Sequence, residues 1–220
     1  MRNIELSVGS YYHLFNRGVD KRLVFLDQDD IGRFLLSMNL FNSTIPLGSI
    51  YQSNLVKKKE ERGHLVSKPV ERLVEFICYC LNPNHYHFLI QQLADKGIEK
   101  FMHKLGNGYT KYFNHKYKRT GSLFGGNYKS VLIKSNEQLL HTSAYINLNN
   151  RISEKGSIFD LSKSSWGEYI SNQDGICNKD IILEQFTDSQ VYKSFAESSY
   201  IDIQERKILR KELEIWGVDT

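Results

Sequence analysis

Two apolar stretches joined by turn residues constrain the fold more than any other part of the chain. Val70–Leu81 is strongly apolar, Asn82-Pro83-Asn84 has the composition of a tight turn, and His85–Ile90 is apolar again except for two histidines. Short apolar runs separated by turn residues are typical of paired antiparallel strands. The sequence therefore predicts a buried β-hairpin over these residues.

The two histidines of the second strand are the first candidate functional residues. Successive side chains of a strand alternate between its faces, so His85 and His87 are expected on one face, about 6–7 Å apart. Two imidazoles in this arrangement can bind one metal ion. Histidine also occurs as a half-buried, hydrogen-bonded strand residue, so a purely structural role stays open.

A third histidine lies in another predicted strand near the start of the chain. Tyr11–Gly18 is rich in aromatic residues and ends in glycine, which favours a first strand. His13 could approach the histidine pair if this strand were its neighbour. A packing role for His13 is the favoured interpretation.

Composition indicates a globular protein with one main core and an appendage, because the 220 residues are 40% hydrophobic and 25% charged. No apolar run approaches the length of a bilayer span, and the polar start does not resemble a signal peptide. Cys78, Cys80 and Cys177 are odd in number and lack metal-binding spacing, which favours a reducing compartment. We therefore expect a cytoplasmic protein that does not enter a membrane.

The basic residues are concentrated in Lys100–Lys134, which has eight Lys and Arg and no Asp or Glu. Residues 154–220 instead carry a local net charge of −5, from eight Lys and Arg and thirteen Asp and Glu. Cations interleaved with aromatic rings suit single-stranded nucleic acid, because cations bind phosphates and rings stack on unstacked bases. The predicted DNA contacts are Lys104, Lys111, Tyr112, Lys118, Arg119 and Lys129.

Two domains are predicted, one over residues 1–150 and an acidic helical C-terminal extension over residues 151–220. Within the first, residues 43–69 lack periodicity and are expected to be a flexible insertion. Apolar spacing after Gly97 predicts a helix that Gly106-Asn107-Gly108 kinks or breaks before it resumes at Tyr109. Trp166 and Tyr169 are expected to anchor the extension onto the first domain.

A helix that starts at Ser135-Asn136-Glu137-Gln138, with Ser135 or Asn136 as its N-cap, carries the second candidate functional group. Leu140, Ala144 and Leu148 form an apolar ridge at four-residue spacing, and His141, Tyr145 and Asn149 form a polar ridge beside it. Docking of the apolar ridge on a sheet would leave the polar ridge facing a cleft. An amide oxygen from Asn149 would complement two histidines in an open Mg²⁺ or Mn²⁺ shell. A boundary role for Tyr145, with its hydroxyl in water, stays open.

Four motifs occur in an order that resembles the single-tyrosine transposases with a His-hydrophobic-His site. The resemblance is strongest to transposases associated with repetitive extragenic palindromes, and it extends from about Tyr11 to Asn150. The motifs are NPNHYHFL at 82–89, KLGNGYTKYFN at 104–114, GSLFGGNYK at 121–129 and AYINLN at 144–149.

This resemblance implies an α+β, ferredoxin-like domain with a central antiparallel sheet and flanking helices. It implies that His85, His87 and Asn149 bind Mg²⁺ or Mn²⁺ and that Tyr145 attacks a DNA phosphate, giving a 5′-phosphotyrosine and a free 3′-hydroxyl. The expected partner is single-stranded DNA with hairpins or inverted repeats, bound by a monomer or homodimer. A non-cleaving DNA or RNA hairpin-binding protein on the same fold is the alternative, but the intact His85, His87, Tyr145 and Asn149 favour the enzyme.

Overall fold

A five-stranded antiparallel sheet organises the computed structural model, which describes residues 6–45, 71–152, 161–171 and 173–215. The strands are β1 (Tyr11–Arg17), β2 (Val74–Asn82), β3 (His85–Gln92), β4 (Lys129–Leu132) and β5 (Lys163–Ser164). Their order across the sheet is β4-β1-β3-β2-β5. The predicted hairpin is confirmed as β2 and β3, although β2 starts at Val74, later than the sequence suggested. The predicted insertion lies outside the described residues from position 46 to its end.

Six helices and two short 3₁₀ turns accompany the strands in the described part of the chain. The helices are α1 (Gln28–Leu40), α2 (Gly97–Lys116), α3 (Asn136–Asn147), α4 (Trp166–Ile170), α5 (Asp180–Leu183) and α6 (Ser189–Ile215). The 3₁₀ turns are Val19–Lys21 and Asn149–Ile152. None of the helices in the described ranges is both long and apolar enough to span a membrane.

The chain order β1-α1-β2-β3-α2-β4, with strand order 4-1-3-2, is the ferredoxin-like arrangement that the sequence predicted. β1 and β3 form its centre and run antiparallel, with Phe15 opposite His87 and Arg17 opposite His85. β5 adds a fifth strand on the free side of β2. The predicted α+β class is confirmed.

Helices cover both faces of the sheet, and each face has its own hydrophobic core. On the first face Leu14 and Phe88 pack with residues of α1 and α2 such as Phe34 and Phe101. On the second face Cys78, Cys80 and Leu89 pack with α3, α4 and α6. The buried residues of the C-terminal extension are part of this second core, where the Tyr169 hydroxyl donates to the Ile77 carbonyl oxygen at 2.8 Å.

The predicted kink in α2 is wrong, because the helix is continuous from Gly97 to Lys116. Gly108 is required by packing, since a Cβ atom there would lie 2.6 Å from the Phe41 ring. Residues on the same side of the helix, from Ile98 to Phe113, are buried against the sheet and α1. Burial of that apolar stripe outweighs the cost of about 1 kcal/mol for each glycine in a helix interior.

The extension is helical, as the sequence predicted. Its longest helix, α6, runs uninterrupted from Ser189 to Ile215. At the start of α3 the predicted cap is confirmed, because the Ser135 hydroxyl accepts a hydrogen bond from the Gln138 amide at 3.1 Å.

A partly buried ion cluster joins α1 to the end of α2. Lys116 Nζ lies 2.7 Å from an Asp27 carboxylate oxygen and 2.9 Å from an oxygen of Asp30, whose side chain is fully buried. The hydroxyls of Tyr112 and Tyr117 donate to Asp30 as well. Lys116 therefore stabilises the fold, although it lies within the basic segment that suggested nucleic-acid binding.

Replacement of Lys116 by methionine should lower the free energy of unfolding by about 3 kcal/mol, because it leaves the buried Asp30 carboxylate without its cation. The hydrogen bond from Lys116 lowers the pKa of Asp27. A carboxylate with a lowered folded-state pKa stabilises the protein above its unfolded pKa of about 3.9 and loses that effect as the pH falls. Urea denaturation of both proteins at pH 7 and pH 3 should therefore show a smaller difference in acid.

The matched control is Lys111→Met, an exposed lysine on the same helix. It should change the free energy of unfolding by no more than about 0.5 kcal/mol. Equal effects of the two substitutions at pH 7 would contradict the role of the ion cluster.

Candidate active site

His85 and His87 project from β3 onto the second face of the sheet, beside α3. His87 is buried, with 8% exposure, and His85 is half-buried. Their ring centroids lie 5.1 Å apart and their planes are nearly perpendicular. Both line a cleft of about 550 Å³, with walls formed by the end of β1, the following turn, Gly125, Asn127 and Lys129.

A hydrogen bond fixes which nitrogen of His85 carries a proton. His85 Nδ1 lies 2.6 Å from Asn84 Oδ1, and the Asn84 amide is oriented by donation from its Nδ2 to the Lys21 carbonyl oxygen at 3.2 Å. Because Oδ1 can only accept, His85 Nδ1 is the donor. The lone pair of neutral His85 is therefore on Nε2, which is the atom that would bind a metal.

His13 pairs directly with His87, and sequence reasoning had favoured a packing role for it. His13 Nε2 and His87 Nδ1 are 2.9 Å apart, and the rings lie 5.2 Å apart between centroids. β1 and β3 are neighbours, with His13 opposite Leu89, so His13 lies diagonally beside His87 on the same face. The sequence contained one signal for this contact, namely the alternation of side chains along β1. That alternation places His13 beside His87 only once β1 is known to pair with β3.

Tyr145 reaches the histidines from α3. Its half-buried ring meets His87 edge-on at 5.6 Å between centroids and His13 edge-on at 6.1 Å. The helix is held by polar contacts on its buried side: Asn147 Nδ2 donates to the Tyr192 hydroxyl at 3.0 Å, and Asn147 Oδ1 accepts from the Ser165 hydroxyl at 2.6 Å. The phenol therefore projects from a helix, α3, that is held by hydrogen bonds to Tyr192 of α6 and to Ser165.

Asn149 is close to this group, but it does not share the helix of Tyr145 as the spacing had suggested. α3 ends at Asn147, and Asn149 begins the 3₁₀ turn that follows. Asn149 is buried, its Oδ1 accepts from Asn82 Nδ2 at 2.8 Å, and its Nδ2 has no hydrogen-bond partner among the described residues. Tyr145 and Asn149 are thus held by consecutive elements and not by one.

The acceptor atoms of His85 and Asn149 converge on one donor. Asn82 Nδ2 lies 3.2 Å from His85 Nε2 and 2.8 Å from Asn149 Oδ1. Two lone pairs that point at one partially positive group form a donor set compatible with a cation. Within the described ranges, no group of three or more His, Cys, Asp or Glu forms a metal cluster, so a metal here would depend on the imidazoles and amides.

The predicted DNA contacts are divided between the two faces of the sheet. Lys129 lies on the histidine face, opposite Phe15 in the strand register, and its Nζ is 6.0 Å from the Phe15 ring centroid. Phe15 in turn stacks on His87 at 5.7 Å. The other five lie on α2 or just after it, against the opposite face: Lys104, Lys111, Tyr112, Lys118 and Arg119.

Several of these five side chains also have partners within the protein. Lys104 Nζ donates to the Ser43 carbonyl oxygen at 2.9 Å, and Arg119 donates to Asn114 Oδ1 at 3.1 Å. The Tyr112 hydroxyl donates to Asp30, and the Arg33 guanidinium lies 5.0 Å from the Tyr112 ring centroid. Lys111 and Lys118 are exposed and are the members best placed to meet a phosphate backbone.

Tyr109, an alternative nucleophile by its place in the sequence, is a core residue. It is fully buried, and its hydroxyl donates to the Val24 carbonyl oxygen at 2.6 Å. It lies on the face of the sheet opposite to the histidines, with Phe25 and Phe34. Tyr109 is therefore separated from the candidate site by the sheet.

The segment that contains the candidate site also matches a known protein family. Residues 55–149 match the family model described as Transposase IS200 like. This match confirms the family resemblance predicted from the four motifs, and the matched segment contains His85, His87, Tyr145 and Asn149.

The chain is also similar to a solved structure of the REP-associated tyrosine transposase bound to a REP hairpin. The likeness has a TM-score of 0.45 and 12% sequence identity, and it covers 78% of this chain and 85% of that chain. No curated protein matches the chain.

Proposed function

We propose that this chain, whose residues 55–149 match the IS200-like transposases, is a metal-dependent transposase that cleaves and rejoins single-stranded DNA at hairpin-bearing ends. The observation that carries the proposal is the position of Tyr145, whose ring lies edge-on against His87 beside the second histidine. The family match supports a transposase, and this geometry supports tyrosine as its nucleophile. The expected substrate is DNA with hairpins or inverted repeats.

Tyr145 would form a covalent link to DNA. The phenol loses its proton, its oxygen bonds to phosphorus, and the 3′ oxygen leaves and is protonated, which gives a 5′-phosphotyrosine and a free 3′-hydroxyl. Attack by another 3′-hydroxyl reverses the step and joins the strands. A phenol has a pKa near 10 and is a poor nucleophile alone. A bound Mg²⁺ or Mn²⁺ would supply Lewis-acid activation of the phosphate.

The residues that would hold the metal are His85 and His87, through Nε2 of each, with Asn149 Oδ1 as a third ligand. His85 is oriented by Asn84, which accepts from its Nδ1 at 2.6 Å. His87 would be oriented by donation from its Nδ1 to His13, so that His13 acts as a positioning residue. Such outer partners fix the tautomer and ring orientation of ligating histidines.

Lys129 would bind a phosphate close to the site of cleavage, because it lies on the face of the histidines and lines their cleft. Lys111 and Lys118 would bind the backbone of the same DNA on the opposite face. The proposed enzyme therefore uses one face of its sheet for chemistry and both for the substrate.

Tyr145→Phe removes one oxygen and keeps the ring that packs against His87 and His13. It should abolish the covalent protein–DNA adduct that a denaturing gel detects with a labelled hairpin substrate, while the dissociation constant changes less than threefold. Tyr11→Phe is the matched control, since Tyr11 is also half-buried beside the second core, and it should keep the adduct. An adduct in Tyr145→Phe would refute the nucleophile. Hairpin binding without an adduct in the wild type would support the non-cleaving alternative.

Chelation of divalent metal should abolish the adduct and leave folding unchanged. Two histidines and an amide at an open cleft add little to a core formed by the two hydrophobic clusters. Incubation with EDTA should therefore change the melting temperature by less than about 2 °C, and added Mg²⁺ or Mn²⁺ should restore the adduct. A large drop in melting temperature would instead indicate a structural metal.

The double substitution of Lys111 and Lys118 by alanine should reduce the salt dependence of DNA binding. Each lost phosphate contact lowers the slope of log affinity against log salt by about 0.7 on single strands. The double variant should therefore lose up to about 1.4 from the slope, measured by fluorescence anisotropy over a salt series. Lys163→Ala with Lys193→Ala removes the same charge from the extension and should leave the slope unchanged. Equal slopes for wild type and the first variant would exclude α2 from the DNA path.

A further inference from the structure

A second cleft of about 540 Å³ lies on the opposite face of the sheet from the histidines. One wall is the side of α2 that carries Glu99, His103, Gly106 and Thr110, and the other is formed by residues 122–128. Its volume falls in the range of about 300–1,000 Å³ that is common for small-molecule sites. Neither His85, His87 nor Tyr145 lines it.

Gly106 is the first sign that this cleft is kept open for a ligand. It lies in the interior of α2, where glycine costs about 1 kcal/mol relative to alanine. Its φ is not positive, and a Cβ atom there would meet nothing within 4 Å, so neither backbone conformation nor packing requires glycine. Gly108 in the same helix is different, because the Phe41 ring leaves it no room. A side chain at Gly106 would extend into the cleft.

Glu99 is the second sign, because it places an unsatisfied acceptor at the cleft. Its Oε2 atom is shielded from water and has no hydrogen-bond partner among the described residues. A buried polar atom without a partner costs about 1–3 kcal/mol, so such an atom at a cleft indicates a ligand that donates to it. The carboxylate has two oxygens and can accept from two adjacent donors.

The remaining lining suits a flat, partly polar ligand. Tyr128 contributes a half-buried aromatic ring and Asn107 an amide, whereas the rings of Tyr86 and Phe124 belong to the first core and are only 2% and 7% exposed. Aromatic rings bind unstacked bases of single strands by stacking. Asn16 and Asn127 line this cleft and the histidine cleft alike, so the two clefts share a rim at the end of β1 and the 125–127 loop.

We propose that this second cleft binds one unstacked guanine of the DNA strand whose phosphate enters the histidine cleft. Guanine offers two adjacent donors, N1–H and the N2 amino group, to the Glu99 carboxylate, whereas the pairing edge of each other base offers one donor group. The shared rim lets one strand reach both clefts. This inference rests on the proposed function, because the ligand is single-stranded DNA with a phosphate in the histidine cleft.

The test measures binding of a labelled oligothymidylate with a single central guanine, inosine, adenine or cytosine, by fluorescence anisotropy. Wild type should bind the guanine oligonucleotide about tenfold more tightly than unsubstituted oligothymidylate, because a bidentate pair of hydrogen bonds discriminates between bases. Inosine lacks the N2 amino group and should lose most of this preference. Adenine and cytosine should bind like thymine.

Two variants should erase the preference. Gly106→Leu fills the cleft, and its control Gly32→Leu adds the same side chain to α1 at a position that is also open. Both should raise the melting temperature, because each removes a helical glycine, but only Gly106→Leu should bring the guanine-to-thymine affinity ratio to about one. Glu99→Gln should also bring the guanine-to-thymine affinity ratio to about one. Glu137→Gln, at the start of α3, removes an equal charge and should keep the ratio.

The outcomes separate this inference from the proposed function. Equal affinity of the wild type for all oligonucleotides, together with an intact Tyr145 adduct, overturns the guanine site alone. A preference that persists in Glu99→Gln and Gly106→Leu overturns the location of the site. A preference for adenine or cytosine overturns the assignment to guanine. Preserved guanine preference in a wild type that forms no adduct supports the site and argues against the transposase chemistry.

Discussion

The pairing of β1 with β3 is the constraint on which the arrangement of this molecule depends. It places His13 beside His87 and Phe15 against the same ring, and it directs Leu14 and Phe88 into the other core. Side chains alternate with a period of two, so a slip of one residue would exchange the faces of β1 entirely. Burial of both faces under helices makes such a slip costly, and the geometry of the histidine cleft follows from the register.

Cover for the second face comes from the C-terminal part of the chain. Tyr192 of α6 contacts Ser143 and Asn147 on the buried side of α3, and Ser165 ties Asn147 to β2 through Tyr79. These contacts fix the helix that presents Tyr145. The C-terminal extension, although acidic overall, can therefore position α3, because its charged residues face solvent while its aromatic rings form part of the core.

Local pattern predicted the elements of the fold better than the relations between distant residues. The β2–β3 hairpin and the Ser135 cap are local features, and both were confirmed. The predicted kink in α2 was wrong because Gly108 is required by the close approach of Phe41, a residue 67 positions earlier in the chain, and does not break the helix. The spacing had placed Asn149 on the helix of Tyr145, but it lies in the 3₁₀ turn after α3. There it accepts a hydrogen bond from Asn82, which is also 67 positions earlier in the chain. His13 became a candidate only through strand pairing, which no local pattern specifies.

Most of the predicted DNA contacts and the candidate active site lie on opposite faces of the sheet, and that separation limits how one DNA strand could bind both. Five of the six predicted DNA contacts lie on or beside α2, whereas Lys129 and the histidines lie on the other face. A DNA strand that bound both sets of residues would pass around the edge of the sheet at β4, which is the outermost β-strand on the side of β1. There the chain is glycine-rich, with Gly121 and Gly126 at φ of 83° and 89°, values that other residues rarely adopt. Because these glycines have no side chains, little protrudes from the sheet at this edge. Asn127 in the same loop lines both clefts. In the proposed enzyme, the loop that closes the ferredoxin-like domain would lie on the path of the DNA between the two faces.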